Sequence, residues 1–167
     1  MSMWRIQKYF QKYSSQEKVA KFLLETGLSV RDGEIYCNEI LMSPVRISRV
    51  IGVDRRTVKS TIKRIENNEE LSKIYENLKA TAYFGDVAQE IDAGVIEIIP
   101  VSAEEPGIIA GVTNILAELD VVVRQCITRE IEFHEEGKIF MITDKSVPMK
   151  AVEKINEVNG VKSVTIY

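Results

Sequence analysis

The stretch from Val95 to Tyr167 constrains the fold of this chain more than any other, because its apolar period keeps changing. Val95–Val101 is a short, nearly continuous apolar run rich in Ile and Val, as a buried strand requires. Pro106-Gly107 breaks the chain, and Ile108, Val112, Ile115 and Leu119 then fall at i, i+4, i+7 and i+11, one face of a helix. From Val121 to Phe133 the pattern alternates: Val121, Val123, Ile127, Ile131 and Phe133 share one side, and Arg124, Thr128, Glu130 and Glu132 take the other. His134-Glu135-Glu136-Gly137 reads as a turn and Lys138–Thr143 as another strand. Met149, Val152, Ile155 and Val158 recur every third residue and predict a second helix, with Pro148 near its first turn. Asn159-Gly160 stops it through the left-handed conformation those residues tolerate, and Val161–Tyr167 is the closing strand. The order is βαββαβ, the ferredoxin-like arrangement. Such a fold by itself says little about function.

The details of this stretch resemble an ACT domain, a small regulatory module that senses amino acids. The resemblance covers about the last seventy residues. It rests on Glu105-Pro106-Gly107 between first strand and first helix, on Val112-Thr113-Asn114-Ile115-Leu116-Ala117-Glu118, and on Gly160-Val161-Lys162-Ser163-Val164. Glu105 stands where the family usually has Asp, and Asp120-Val121-Val122 stands where ligand-binding members often carry Gly-x-Asn. The turn has a chemical logic of its own. A helix that begins at Gly107 offers unpaired backbone N–H groups suited to a carboxylate, and glycine lets a ligand approach closely. Glu105, Pro106, Gly107, Ile108 and Ile109 are therefore candidate ligand contacts. In the family this loop meets the second strand of a neighbouring subunit, so the resemblance adds Val122, Val123 and Arg124 from a second copy. The alternative is an ordinary strand-to-helix turn beside a dimer edge that holds no ligand.

A chain of 167 residues suits one medium domain or two small ones. It has no apolar run of about 18 residues, the length of a membrane span. The opening MSMWRIQKYFQKYSS lacks the apolar centre of a signal peptide. Cys37 and Cys126 match no metal spacing and read as reduced packing residues, so the expected compartment is the cytoplasm.

Net charge is −3, which argues against a generic nucleic-acid binder, but the charge is unevenly distributed. From Gly94 onward seven basic residues face twelve acidic ones, a balance of −5, which leaves +2 for the first 93 residues. Within Pro44–Ile65, Arg46, Arg49, Arg55, Arg56, Lys59, Lys63 and Arg64 face Asp54 alone, a balance of +6. A local patch of this kind meets phosphate even on an acidic protein.

Before that patch, Met3–Tyr13 reads as a helix anchored by Trp4, Phe10 and Tyr13. Ser14-Ser15-Gln16-Glu17 fits a capping box for a helix over Ser15–Glu25 that buries Val19, Phe22 and Leu23 and ends at Gly27. Val30–Cys37 reads as an Asp-Gly turn and an extended piece, either a small ribbon or a loop, with Ile40–Met42 as its continuation. Ser43-Pro44 starts a helix over Pro44–Ile51, with Ser43 as cap and Val45 or Ile47, Val50 and Ile51 inside. Gly52-Val53-Asp54 is a tight turn, and Asp54 caps a helix from Arg55 to about Glu66.

This is a helix-turn-helix pattern, with Ser48 four places before Gly52 and Thr61 where a larger aliphatic is common. At about 100° per residue, Val58, Ile62 and Ile65 cluster in one sector. Arg56, Ser60, Lys63 and Asn67 lie opposite, flanked by Lys59 and Arg64. A helix in the major groove needs apolar residues toward its scaffold and donors toward base edges. The candidate DNA contacts are Arg46, Arg55, Arg56, Lys59, Ser60, Lys63, Arg64 and Asn67; a merely solvated basic face is the competing reading. Asn67-Asn68 breaks the helix, Glu69–Lys79 forms another with Leu71, Ile74, Tyr75 and Leu78 inside, and 80–94 is a linker in which Tyr83, Phe84, Val87 and Ile91 pack.

No phosphate-binding loop, dinucleotide fingerprint or nucleophile elbow occurs. His134 beside Glu135 and Glu136 reads as a solvated turn rather than a metal site, and Glu104-Glu105 suits a helix dipole. No catalytic residues, cofactor or metal are expected, and no enzyme activity. The expected architecture is α+β, with a helix-turn-helix domain over 1–89 and a ferredoxin-like ACT domain over 95–167. Taken over the whole chain, this pairing resembles a family of small archaeal proteins predicted to regulate amino-acid metabolism. The resemblance implies a homodimeric transcriptional regulator with double-stranded DNA and a free amino acid as partners and no membrane. The alternative is a regulatory subunit that binds no DNA and confers amino-acid control on a biosynthetic enzyme.

Overall fold

A computed structural model describes residues 5–102, 105–129 and 137–167. The chain is α+β, with helices and two antiparallel sheets. It divides into two units, Ser2–Ala82 and Tyr83–Tyr167. Tyr83–Gln89, expected in the first domain, therefore belongs with the second. Its Tyr83 and Ala88 pack against Val95, Phe140 and Ile142.

In the first unit a 3-10 helix over Arg5–Tyr9 takes the place of the longer helix expected over Met3–Tyr13; Met3 and Trp4 lie outside the described residues. Phe10 is fully buried, but Tyr13 is exposed and carries the Arg64 guanidinium 3.9 Å above its ring. Helix α1 spans Ser14–Thr26. The expected capping box is absent. Tyr13 holds the N-cap position, its carbonyl accepts the Glu17 N–H at 2.9 Å, and the Glu17 carboxylate accepts from Gln7 instead. Ser14 is thus already inside the first turn, where its hydroxyl cannot cap. Val19 and Leu23 are buried as expected, with Phe22 half-buried, and Gly27 closes the helix in the left-handed conformation.

The Asp-Gly turn does form a ribbon. Strands β1 (Ser29–Arg31), β2 (Glu34–Cys37) and β3 (Ile40–Met42) pair antiparallel in that order. Helices α2 (Pro44–Ile51), α3 (Arg55–Glu66) and α4 (Glu69–Glu76) follow. Helix α4 stops at Glu76 rather than Lys79, capped at its start by Asn68, whose side chain accepts the Leu71 N–H at 3.0 Å. Val19, Leu23, Ile35, Val58, Ile65 and Leu71 are fully buried; each such aliphatic stabilises by about 1.5–3 kcal/mol relative to exposure. Tyr75 is buried among them and donates its hydroxyl to the Ala20 carbonyl at 2.9 Å.

The second unit begins with two short 3-10 turns, Gly85–Val87 and Gln89–Ile91. Of the residues expected to pack, Tyr83 does so, joined by Ala88 and Ala93, while Phe84, Val87 and Ile91 are exposed. Strand β4 (Gly94–Pro100), helix α5 (Ile108–Glu118), strands β5 (Val123–Arg129) and β6 (Lys138–Thr143), helix α6 (Met149–Asn156) and strand β7 (Val161–Ile166) complete the chain. The sheet order β5-β6-β4-β7, all antiparallel, is the ferredoxin-like one. The helices cover one face over Ile96, Ile98, Ile139 and Met141.

Leu116 rather than Ile115 is the fully buried residue near the end of α5. Met149 at the start of α6 is 68% exposed, while Ala151 and Ile155 carry the contact, because the inward face follows the helical period rather than strict threes. Helix α6 ends with Glu157 as its cap, before Asn159-Gly160. Strand β5 corrects the simple alternation. A bulge between Val123 and Gln125 pairs Val123 with Thr143 but Ile127 with Phe140, so those two point to opposite faces. The expected strand residues Ile131 and Phe133, and the turn at His134, lie outside the described residues.

Candidate nucleic-acid interface and candidate ligand site

The α2–α3 pair is built around a glycine turn. Gly52 sits at φ 73° and closes α2 with its N–H on the Ser48 carbonyl, and the Val53 N–H reaches the same carbonyl at 3.0 Å. A positive φ there turns the chain within three residues. Asp54 then caps α3, its carboxylate accepting the Arg56 N–H at 2.6 Å. Ser43 makes no such bond for α2, although Pro44 does occupy its first position. Ile47 and Ser48 face inward, but Val50 is 72% exposed, which reverses the expectation for that residue. On α3, Val58, Thr61, Ile62 and Ile65 are buried. Thr61 fills an aliphatic position without cost because its hydroxyl donates to the Thr57 carbonyl at 2.8 Å.

The outward face is basic and separates into two groups. Arg46, Arg55, Arg56, Lys59, Lys63 and Asn67 are exposed. Among the described residues no carboxylate forms an ion pair with any of those five cations, and Arg49 beside them is exposed and unpaired as well. Ser60 and Arg64 are placed differently. Gln16 of α1 donates to the Ser60 hydroxyl at 3.0 Å and accepts from Arg64 Nε at 2.6 Å. These two side chains fasten α3 to α1, through a partner more than forty residues away that no local pattern in α3 reveals.

The second candidate site is the turn before α5. Gly107 occupies its N-cap at φ 91°, no side chain caps the helix, and the direction a Cβ would take is open. Glu105, Pro106 and Gly107 are exposed, Ile108 is buried under the helix, and Ile109 is 41% exposed. Val122 and Arg124 are exposed and Val123 is half-buried. A single chain does not bring these groups together. Val123 pairs with Thr143, which pairs with Gly94, at one end of the sheet. Gly107 follows Pro100, which pairs with Val161, at the other. The outer edge of β5 has no strand beside it among the described residues.

No protein-family model matches the chain, and no curated protein matches it. Among solved structures, a CheA P2 domain in complex with CheY from Thermotoga maritima aligns with 46% of this chain and 95% of that one, at 21% identity and a TM-score of 0.36. The Escherichia coli AsnC structure aligns with 92% of this chain and 89% of that one, at 13% identity and a TM-score of 0.25. The leucine response regulatory protein of Mycobacterium tuberculosis aligns with 92% and 90% respectively, at 13% identity and a TM-score of 0.27.

Proposed function

We propose that the protein is an amino-acid-responsive transcriptional regulator. In this reading α3 enters the major groove of double-stranded DNA, and the ACT-like unit senses a free amino acid at a homodimer interface. The observation that carries it is the exposed, unpaired basic face formed by Arg46, Arg55, Arg56, Lys59 and Lys63 on a capped helix pair turned by Gly52. Unpaired cations on a rigid scaffold gain most by meeting phosphate, since no internal ion pair is broken first. Asn67 on the same face adds a side chain that bonds adenine, and Arg56 one that bonds guanine. Ser60 and Arg64 position α3 against α1 in this scheme.

The ligand's carboxylate would meet the open N-terminus of α5 at Gly107, with Val122, Val123 and Arg124 supplied by the second copy. The separation of these groups within one chain supports a shared site. Binding would then shift the spacing or orientation of the two helix-turn-helix domains, so that they fit, or cease to fit, two half-sites about one DNA turn apart. The compartment that fits this reading is the cytoplasm, where Cys37 and Cys126 stay reduced. No described helix is long and apolar enough to cross a membrane.

Selection from a random duplex pool by the purified protein, with and without mixed amino acids, tests this. Enrichment of a palindrome that changes with amino acids is the expected result. No enrichment under either condition would reject it. A second reading, a regulatory subunit that docks on a biosynthetic enzyme, draws on the exposed Ile40, Leu41 and Val50 of the same helical unit, at 68%, 60% and 72%. Those side chains suit a protein surface better than a phosphate backbone.

A further inference from the structure

The sheet of the second unit has another face, and the function proposed above makes no use of it. Opposite the helices, β4 and β6 present Val95, Glu97, Lys138 and Phe140, and β5 places Arg129 beside Lys138. The segment from Tyr83 to Ala93 crosses part of this face, with Ala88 buried on Val95 and Phe140. Beside that strap is a cavity of about 800 Å³, walled by Tyr83, Asp86, Glu90 and Tyr167 and floored by Val95 and Phe140. Small-molecule sites fall in the range of roughly 300–1,000 Å³.

The charges around this cavity do not cancel evenly. Lys138 and Glu97 form an ion pair at 2.8 Å in which the Glu97 side chain is only 13% exposed, and the Tyr167 hydroxyl lies 3.5 Å from the same carboxylate. Arg129 has no such partner among the described residues. Its guanidinium lies 4.8 Å from the centre of the Phe140 ring and 5.2 Å from that of Tyr83, and the two rings meet edge to face at 6.0 Å. Two aromatic rings fix the position of the cation and satisfy none of its N–H donors. Burial pushes the Tyr83 phenol above its usual range despite the nearby guanidinium, so this ring stays neutral and hydrogen-bearing. Asp86 and Glu90 on the strap make the rim acidic, so an anion is held only where it pairs directly with Arg129, and each added negative charge raises the cost.

We infer that this cavity binds a small monocarboxylate with a flat apolar body, its carboxylate held by the two-pronged edge of Arg129 and its body against Phe140 and Tyr83. The site is on the opposite face of the sheet from α5, so it stands or falls separately from the turn at Gly107. Bidentate pairing selects a carboxylate over a neutral group, and the acidic rim rejects phosphate esters and dicarboxylates.

Phenylacetate titrated into the full chain, followed by calorimetry and backbone amide shifts, tests the assignment. Saturable binding is expected, with shifts concentrated at Tyr83–Ala88, Val95, Arg129 and Phe140, while benzylamine and inorganic phosphate leave those signals unmoved. Arg129→Met weakens binding by roughly tenfold or more, Arg129→Lys weakens it less, and Gly107→Val leaves it unchanged. The amide spectrum verifies that each variant is folded; if Arg129→Met is not, the comparison of Arg129→Lys with the parent chain decides. Unaltered phenylacetate affinity in the folded Arg129 variant, equal binding of benzylamine, or shifts confined to other surfaces would overturn the proposal. So would the absence of saturable binding at millimolar probe.

Discussion

Two helices of this protein begin at glycine-containing turns, and they begin differently. Helix α3 follows Gly52 and is closed by Asp54, whose carboxylate takes the Arg56 N–H. Helix α5 follows Gly107 directly and has no side-chain cap. At α3 the end of the helix is satisfied internally, and what remains available is its flank, the exposed cations from Arg56 to Lys63. At α5 the flank is buried through Ile108, Val112 and Leu116, and what remains available is the end. A side face suits a long polyanion, and an end suits a single small anion. The difference between the two starts is thus a difference in the kind of partner each can take.

Replacing Arg56 and Lys63 together with Ala tests the flank and carries the largest expected effect. DNA affinity falls about a hundredfold and the slope of binding against salt falls by about two, with an unaltered melting transition. Titration of a selected duplex at several salt concentrations measures both; an unchanged affinity removes α3 as the reading helix. Gly107→Val tests the end. Amino-acid binding measured by calorimetry drops at least tenfold, and the φ of 91° adds a stability loss of about 1–2 kcal/mol because a β-branched residue is strained there.

Tyr75→Phe removes the hydroxyl's bond to the Ala20 carbonyl, which keeps its helical N–H partner, and costs about 1 kcal/mol in denaturant titration. The same variant has a signature at high pH. Burial raises the Tyr75 phenol above its ordinary 10.0, so its contribution is fully present below that value and is lost as pH climbs past it. Above pH 10 the parent chain therefore loses stability faster than Tyr75→Phe, and parallel curves would contradict the burial argument. Asp54→Ala has a similarly small effect, about 1 kcal/mol from the lost cap. If it costs nothing, the contrast between the two helix starts is weaker than their geometry implies.

Much of the architecture was legible in local pattern. The change from alternation to helical spacing at Ile108, the Pro44 start and the Gly52 turn each follow from the chemistry of a few neighbouring residues. What escaped depends on partners distant in sequence. Ser60 and Arg64 share the basic sector of α3, and their partners before α3, Gln16 for both and Tyr13 for Arg64, separate them from the free cations. The bulge that sends Val123 and Ile127 to opposite faces is invisible in a run that alternates on paper. Ser14 to Glu17 has the letters of a capping box, yet the residues before it place Tyr13 at the cap. The cavity beside Arg129 needs Tyr83, Phe140 and the pairing of three strands at once, and no single segment announces it.

The placement of Gly107 and Arg124 at opposite ends of one sheet has a consequence for mixtures. If each sensing site takes its turn from one copy and its strand from the other, a copy disabled in the turn is still whole in the strand. Gly107→Val chains and Arg124→Ala chains would each be insensitive alone. Dimers formed between them would concentrate both defects in one of the two sites and leave the other intact. Combining two inactive proteins would then restore a response, a form of complementation that a site contained within a single chain cannot produce.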